Sequence, residues 1–319
     1  MNTRRALLTA LEDGPVSGPA LADDLDVSRA AVWKAVESLR ADGFAIESTG
    51  DGYVAPSDPP YTAAGIAFGL EAPYRIEFHE SVDSTNAEAR GLAETNEADV
   101  AVIADEQRGG RGRLGRKWSS PSGGVWLSVL TRPDIPTAHA PAFTLAAAVA
   151  ATDACREAGV DAHIKWPNDV LVGDEGTRGG RKLVGILTEM EGEADRVCWL
   201  VVGIGVNANL DLEELPAGAT SLRAERDAGV DRRRFVQRLL ERYHAVAGSP
   251  DRILDAWRER ASTLGTRVKV ETGDDTIRGT AVDVAFPGAL VVRDDEGSRH
   301  RVHAGDCEHL RPTTDGGRS

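Results

Sequence analysis

Lysine is nearly missing from this chain of 319 residues. Only Lys34, Lys117, Lys165, Lys182 and Lys269 occur among 37 basic residues, and the other 32 are arginines. Cysteine is as scarce. Cys155, Cys198 and Cys307 are scattered and odd in number, which argues against a disulfide framework and fits a reducing cytoplasm. No apolar run is long enough to cross a bilayer. The opening stretch MNTRRALLTALEDG puts an acidic pair where a signal peptide carries small residues, so no secretion is expected. Positive charge is outnumbered: 51 acidic residues give a formal net charge of -14. An acidic surface almost free of lysine points to selection in high salt, where excess negative charge preserves solubility. A GC-rich genome that favours arginine codons produces the same bias, and the two causes can coexist. Under either cause a retained lysine is informative.

The length allows two or three domains, and 41% hydrophobic residues is ordinary for a soluble globular protein. Residues 1–57 read as a small unit. TRRALLTALE has helical apolar spacing, GPALADDLD forms a second short helix, and Ser28 caps a third, in which Val32, Val36 and Leu39 share one face and Gly43 closes the end. FAIESTGDGYVAP then alternates around Gly50-Asp51-Gly52, a hairpin signal. Three helices and a hairpin make a winged helix-turn-helix, and Pro56, Pro59 and Pro60 mark the linker. From 62 to 264, strands follow one another closely between a few helices. That spacing argues for an antiparallel or mixed sheet, hence α+β. From 265 to 319 the text turns to four short strands, which predicts a small β-barrel, and TTDGGRS reads as a frayed tail.

In GGRGRLGRKWSSPSGG, residues 109–124, four cations (Arg111, Arg113, Arg116, Lys117) are threaded with glycines. Gly110, Gly112 and Gly115 spell a dinucleotide fingerprint, but no helix opens there, because Pro121 and a Gly pair follow. The better reading is a mobile loop whose peptide N–H groups and guanidinium forks fold over an anion. IKWPNDVLV sets Lys165 near Asp169 at a strand–turn–strand junction, useful for a nucleotide with its magnesium; an ordinary turn has the same composition. Lys182 precedes an apolar strand. Gly203, Gly205 and Asn207 end another, where small residues let a ligand approach and Asn207 can meet a nucleotide. His300, His303, Cys307 and His309 are loosely zinc-like in spacing, but they match no standard finger, and alternation along a surface strand explains the first two equally well.

The ordered set VDSTN, GRGRLGRKW, KWPNDVLV, KLVGIL and GIGVN, behind SRAAVWKAVESLR, resembles the biotin–protein ligases, specifically the bifunctional type that also represses the biotin operon. The resemblance covers nearly the whole chain. It implies a winged helix-turn-helix, a central domain similar to class II aminoacyl-tRNA synthetases, and a C-terminal SH3-like barrel. It implies two reactions: biotin and ATP give biotinyl-5′-AMP and pyrophosphate, and a lysine of a biotin carboxyl carrier domain then displaces AMP. Carried over by position, Ser84, Thr85, Asn86 and Gln107 look like biotin contacts, and Arg111, Gly112 and Arg113 like the loop on biotin and the adenylate phosphate. Lys182 looks like the lysine on the reacting carboxylate and phosphate. Arg116, Trp118, Lys165, Asn168, Asp169 and Asn207 look like the nucleotide side, with Lys182, Arg113 and Arg116 as the catalytic set. Mg2+ would enter with ATP, not at a fixed protein site. The loop GDEGTRGGR is longer than the resemblance calls for, and no tryptophan stands near AGATSL to cover adenine.

Lipoyl ligases share the central fold and a similar lysine, but lack the GRGRLGRKW and KWPND pair and the DNA-binding head. A DNA-binding regulator with a degenerate enzyme site is the other alternative. The head carries five cations against nine acidic residues, unlike most DNA-binding domains. Its DNA contacts are expected from Ser28, Arg29 and Lys34 at the start of the recognition helix, with tight binding to a biotin operator only in an adenylate-loaded homodimer.

Overall fold

The computed structural model describes residues 3–11, 14–56, 58–174, 179–273 and 275–310. The expected tail at 313–319 and much of the lengthened loop, 175–178, lie outside them.

The N-terminal unit is three helices and a hairpin: α1 (Thr3–Ala10), α2 (Gly18–Asp24), α3 (Arg29–Ala41), β1 (Glu47–Thr49) and β2 (Gly52–Val54). Both caps come from serine. Ser17 Oγ accepts from Ala20 N–H at 3.3 Å and Ser28 Oγ from Ala31 N–H at 3.2 Å, satisfying donors that a helix start leaves open. Leu7, Leu11, Leu21, Val32, Val36, Leu39, Phe44 and Ile46 form a core of their own. Gly52 is required where it stands: its φ is +132°, and a Cβ there would collide with the Val16 backbone, which bridges to Tyr53.

After α4 (Ala63–Ala67) comes a seven-stranded sheet built from β3 (Arg75–Val82), β4 (Val100–Gln107), β5 (Val125–Thr131), β6 (Ala162–Lys165), β7 (Asp169–Val172), β8 (Arg181–Glu193) and β9 (Arg196–Val206). The order is β3-β4-β5-β9-β8-β7-β6. Among the described strands of this sheet only β3 and β4 pair in parallel, so the sheet is mixed as expected. A parallel pair needs a crossover, and α5 (Thr85–Glu94) supplies it. In β4 the side chains alternate between two cores. Val100 and Val102 meet Ala89 and Ala93 of α5, while Ala101 and Ile103 face the main core. That explains a continuous apolar run in a strand covered on both faces. On the main-core side, α6 (Pro141–Glu157) is buried almost all round and rich in alanine, which lets it pack between the sheet and two further helices. Following α7 (Leu222–Arg226), those are α8 (Arg232–Ala247) and α9 (Pro250–Arg260).

The C-terminal unit is a sheet, and a closed barrel is not seen in it among the described residues. Its strands β10 (Arg267–Glu271), β11 (Thr276–Ala285), β12 (Ala289–Arg293), β13 (Arg299–Val302) and β14 (Asp306–His309) form one antiparallel sheet in the order β13-β12-β11-β10-β14. Among the described residues no pairing joins the edge strands β13 and β14. The fifth strand was also unexpected, because its four residues, Asp-Cys-Glu-His, carry little apolar signal. Val268, Val270, Leu290 and Cys307 belong to the same core as the central sheet. Trp166 ties the two units together, donating from Nε1 to Gly288 O at 2.9 Å. No helix is long and apolar enough to cross a membrane among the described residues.

Candidate active site

A cavity of about 710 Å3 opens where β4, β6 and β9 finish and β7 and β8 begin, and all fourteen residues named above for biotin and nucleotide line it. Residues as far apart as Ser84 and Asn207 meet because the strand order folds 124 residues of sequence onto one end of the sheet.

One wall is a polar network. Gln107 Oε1 accepts from Thr85 N–H at 2.8 Å and from Thr85 Oγ1 at 3.1 Å, and Gln107 Nε2 donates to Ser120 Oγ at 3.0 Å. Asn86 Nδ2 donates to Glu189 Oε2 at 2.6 Å. Ser128 Oγ, fully buried in β5, lies 2.7 Å from both Thr85 Oγ1 and Asn86 Oδ1. Every group is held by another, so the wall is rigid before any ligand arrives. Ser84 stands at the N-cap of α5 and its hydroxyl makes no capping bond. Sequence reasoning missed Ser120, in the loop before β5, and Ser128, inside that apolar strand, since a lone hydroxyl in either place carries no spacing signal.

The opposite side is cationic. The loop after β4 folds back on itself: Trp118 N–H donates to Gly110 O at 2.9 Å and Gly112 N–H to Arg116 O at 2.7 Å, with Gly115 at φ +70° in the turn. Arg113 spans two units, donating from Nη1 to Asn168 Oδ1 at 3.2 Å and from Nη2 to Gly305 O at 3.0 Å. Arg116 pairs with Asp306. Arg111 is exposed and Lys165 is buried. Lys182 Nζ lies 2.6 Å from Asp169 Oδ1 and 5.0 Å from the centroid of the Trp118 ring. Asn168 Nδ2 donates to Ile186 O at 2.6 Å, which fixes the junction below Arg113. Asn207 Nδ2 donates to Thr220 O at 2.9 Å, so that donor serves the fold.

The glycines of GIGVN line the cavity and also make room for side chains. Gly203 makes room for Asn86, and Gly205 with Gly185 seats the Trp118 indole, which a Cβ would approach to 2.8 and 2.9 Å respectively. Near AGATSL, Leu215, Pro216 and Ala217 line the cavity, with no aromatic among them. The C-terminal sheet adds Glu271, Asp306, Cys307 and Glu308, none of which sequence spacing could bring here. Six cations and four carboxylates therefore line one cavity, an excess of positive charge in an acidic protein. No group of three or more His, Cys, Asp or Glu suited to a metal occurs among the described residues. His300 lies on β13 and pairs with Asp294 at 2.6 Å, whereas Cys307 and His309 lie on β14 at the other edge of the sheet.

Burial acts on two of these groups. It pushes the Cys307 thiol up to about 11, so the thiol stays protonated. Burial first, then the nearby Lys165 charge, pushes His309 from an ordinary 6.5 down to about 4. An unfolded chain therefore takes up a proton at His309 near pH 6.5, and the folded chain only near pH 4. Stability is complete above pH 6.5 and falls as pH drops through that window. Replacing His309 by Gln flattens this part of the profile, which thermal unfolding at a series of pH values between 4 and 7 measures. An unchanged slope contradicts the assignment.

The DNA-directed residues lie elsewhere, on α3: Ser28 caps it, and Arg29 and Lys34 are exposed.

Comparison with known proteins agrees with this geometry. Residues 3–54 match an HTH domain, residues 78–207 the Biotin/lipoate A/B protein ligase family, and residues 263–310 the Biotin protein ligase C terminal domain. The Bifunctional ligase/repressor BirA of Bacillus subtilis is 36% identical over 312 residues, covering 92% of this chain and 93% of the relative. The chain belongs to the biotin protein ligase family. The family member of the same name from Escherichia coli is 29% identical over 300 residues, covering 91% of this chain and 92% of its own. A biotin protein ligase from Aquifex aeolicus, solved with biotin and ATP, superposes with a TM-score of 0.60 at 28% identity, covering 74% of this chain and 98% of its own.

Proposed function

We propose that this chain activates biotin as biotinyl-5′-AMP and transfers it to a lysine of a biotin carboxyl carrier domain, and that the adenylate-loaded form is a homodimeric repressor. The observation that carries the enzyme reading is the convergence of a rigid polar wall, a cationic loop and the Lys182–Asp169 pair on one cavity. Biotin's carboxylate oxygen attacks the α-phosphorus, and the bond from that phosphorus to the bridging oxygen breaks, releasing pyrophosphate. The carrier amine then attacks the acyl carbon, loses a proton and expels AMP. Two anions must meet in the first step, and Lys182, Arg113 and Arg116 supply the fixed charge that offsets their repulsion. Ser84, Thr85, Asn86 and Gln107 hold the biotin head, Arg111 and Gly112 close over it, and Trp118, Lys165, Asn168 and Asn207 face the nucleotide. Mg2+ would come with ATP and would neutralise phosphate charge, and Asp169 on the cavity wall is a carboxylate that could share it.

We read residues 1–57 as the DNA-binding head, 62–264 as a catalytic domain similar to class II aminoacyl-tRNA synthetases, and 265–319 as an SH3-like module. The bulge at Ala281/Asp283 of β11 supports the last, since bulges bend a strand toward a second layer. Three free cysteines support a cytoplasmic site of action. The Biotin/lipoate family match spans both acids, and the relatives named as biotin ligases or BirA favour biotin.

The test is incubation with Mg-ATP, a purified carrier domain and either biotin or lipoic acid, followed by mass analysis of the carrier, across a range of salt. Biotin alone should label. No labelling at any salt, or labelling by lipoic acid instead, rejects the reading.

A further inference from the structure

The head keeps one large apolar side chain on its outside. Trp33, in the second turn of α3, is 60% exposed, more than Leu212, Phe286 or Met190, the other exposed large hydrophobics among the described residues. The core face of the same helix is satisfied without it, by Val32, Ala35, Val36 and Leu39. An indole left in water has a cost, and no packing in the head explains it.

Its surroundings indicate what covers it. Arg29, Ala30 and Lys34 are exposed on either side of it along the helix. The first turn of α3 holds no acid. The helix's one acid, Glu37, is paired with Arg40 at 2.8 Å. Arg40 is itself committed to the fold, donating to Ile46 O at 2.7 and 3.0 Å and to Ser48 Oγ at 2.9 Å. Arg4 pairs with Asp42. Among the described side chains of the head, Arg29 and Lys34 are thus the cations without an ion pair, and they bracket Trp33. The head is acidic overall, yet this stripe is positive and lies in the helix half with the positive dipole end. A second copy of the same stripe would be repelled. A polyanion would not.

We infer that Trp33 is a direct base-reading residue of the repressor head: its indole packs on thymine C5-methyl groups in the major groove, while Arg29 and Lys34 hold α3 against neighbouring base edges and phosphates. This rests on the repressor reading above. The choice of an apolar reader suits an acidic protein. Salt weakens phosphate contacts by counterion release, but it leaves a methyl–indole contact in place.

The experiment uses the full chain with biotin and Mg-ATP, and fluorescence anisotropy on overlapping duplexes from upstream of its own gene. Wild type, Trp33→Ala and Lys34→Gln are compared, with carrier biotinylation and thermal unfolding as controls that neither variant should change. W33A should bind the chosen duplex at least about tenfold more weakly, roughly 1.4 kcal/mol, at every salt concentration. The K34Q deficit should shrink as salt rises. Replacing thymines singly by deoxyuridine should weaken wild type severalfold at one or two positions and leave W33A unchanged there. Equal binding by W33A and wild type overturns the inference, as does a deoxyuridine effect that persists in W33A. If W33A changes self-association instead, the indole is a protein contact. If wild type binds no duplex, loaded or unloaded, the repressor reading itself fails and this inference with it.

Discussion

Lys182→Ala should slow biotinyl-5′-AMP formation on the order of a hundred- to a thousandfold, the loss typical of removing one preorganised donor from a site of developing charge. Affinity for biotin alone should hardly change. The reasoning starts from where the ammonium is held. Lys182 is the second residue of β8, its backbone N–H donates to Gly218 O at 2.9 Å, and its carbonyl accepts from Thr220 N–H at 2.9 Å. The stem is therefore anchored at both ends of its peptide. Asp169 at 2.6 Å and the Trp118 ring fix the head from two sides. A charge placed in advance costs no reorganisation when carboxylate and phosphate converge, so its value is greatest in the transition state. Lys182→Arg keeps the charge on a planar fork that cannot occupy the same point, and should recover only part of the rate. Single-turnover pyrophosphate release measures the step. Wild-type release by the alanine variant would remove Lys182 from the proposed catalytic set.

How far the sequence could lead is clear from particular residues. The head was legible because its signals are local: Ser28 caps, Val32, Val36 and Leu39 share a face, and Gly43 ends the helix at φ +89°. The central strands were legible because each is apolar and bounded by turns. Cavity residues in motifs could be named one by one, yet nothing local shows that Arg113 reaches Gly305, 192 residues away, or that Asp306 pairs with Arg116. Those contacts depend on how the C-terminal sheet docks, which is a tertiary choice. The strand β14 escaped because three of its four residues are polar, and alternation in four strands says nothing about whether a sheet closes. Gly203 and Gly205 stood out correctly as special positions. The side chains they accommodate, Asn86 and Trp118, could not be named, because a glycine signals close approach without saying by what.

That last point yields the other large effect. Gly203→Ala should raise the dissociation constant for biotin about ten- to a hundredfold, which corresponds to the roughly 1–3 kcal/mol that overpacking a tight site costs. Gly203 pairs with Ser128 on one side and Leu187 on the other, at the centre of the sheet. A Cβ there would collide with Asn86 Oδ1 and stand 3.0 Å from its Cγ. Asn86 is poorly placed to yield, being 7% exposed and held by Glu189 at 2.6 Å and Ser128 at 2.7 Å. Displacing it breaks the wall in sequence. Ser128 loses one partner, the hydroxyl of Thr85 must reorient, and Gln107 loses part of what aligns it. The damage reaches biotin through groups the substitution never touches. The nucleotide side is separate, so ATP affinity should hold, and so should the melting of the N-terminal unit with its own core. Asn86→Ala supplies the control. If the collision is the mechanism, the double variant should bind biotin no worse than Asn86→Ala alone, because the two changes act on one contact. Calorimetric titration of biotin into all four proteins decides it: additive losses would mean that Gly203 matters to biotin by some route other than Asn86.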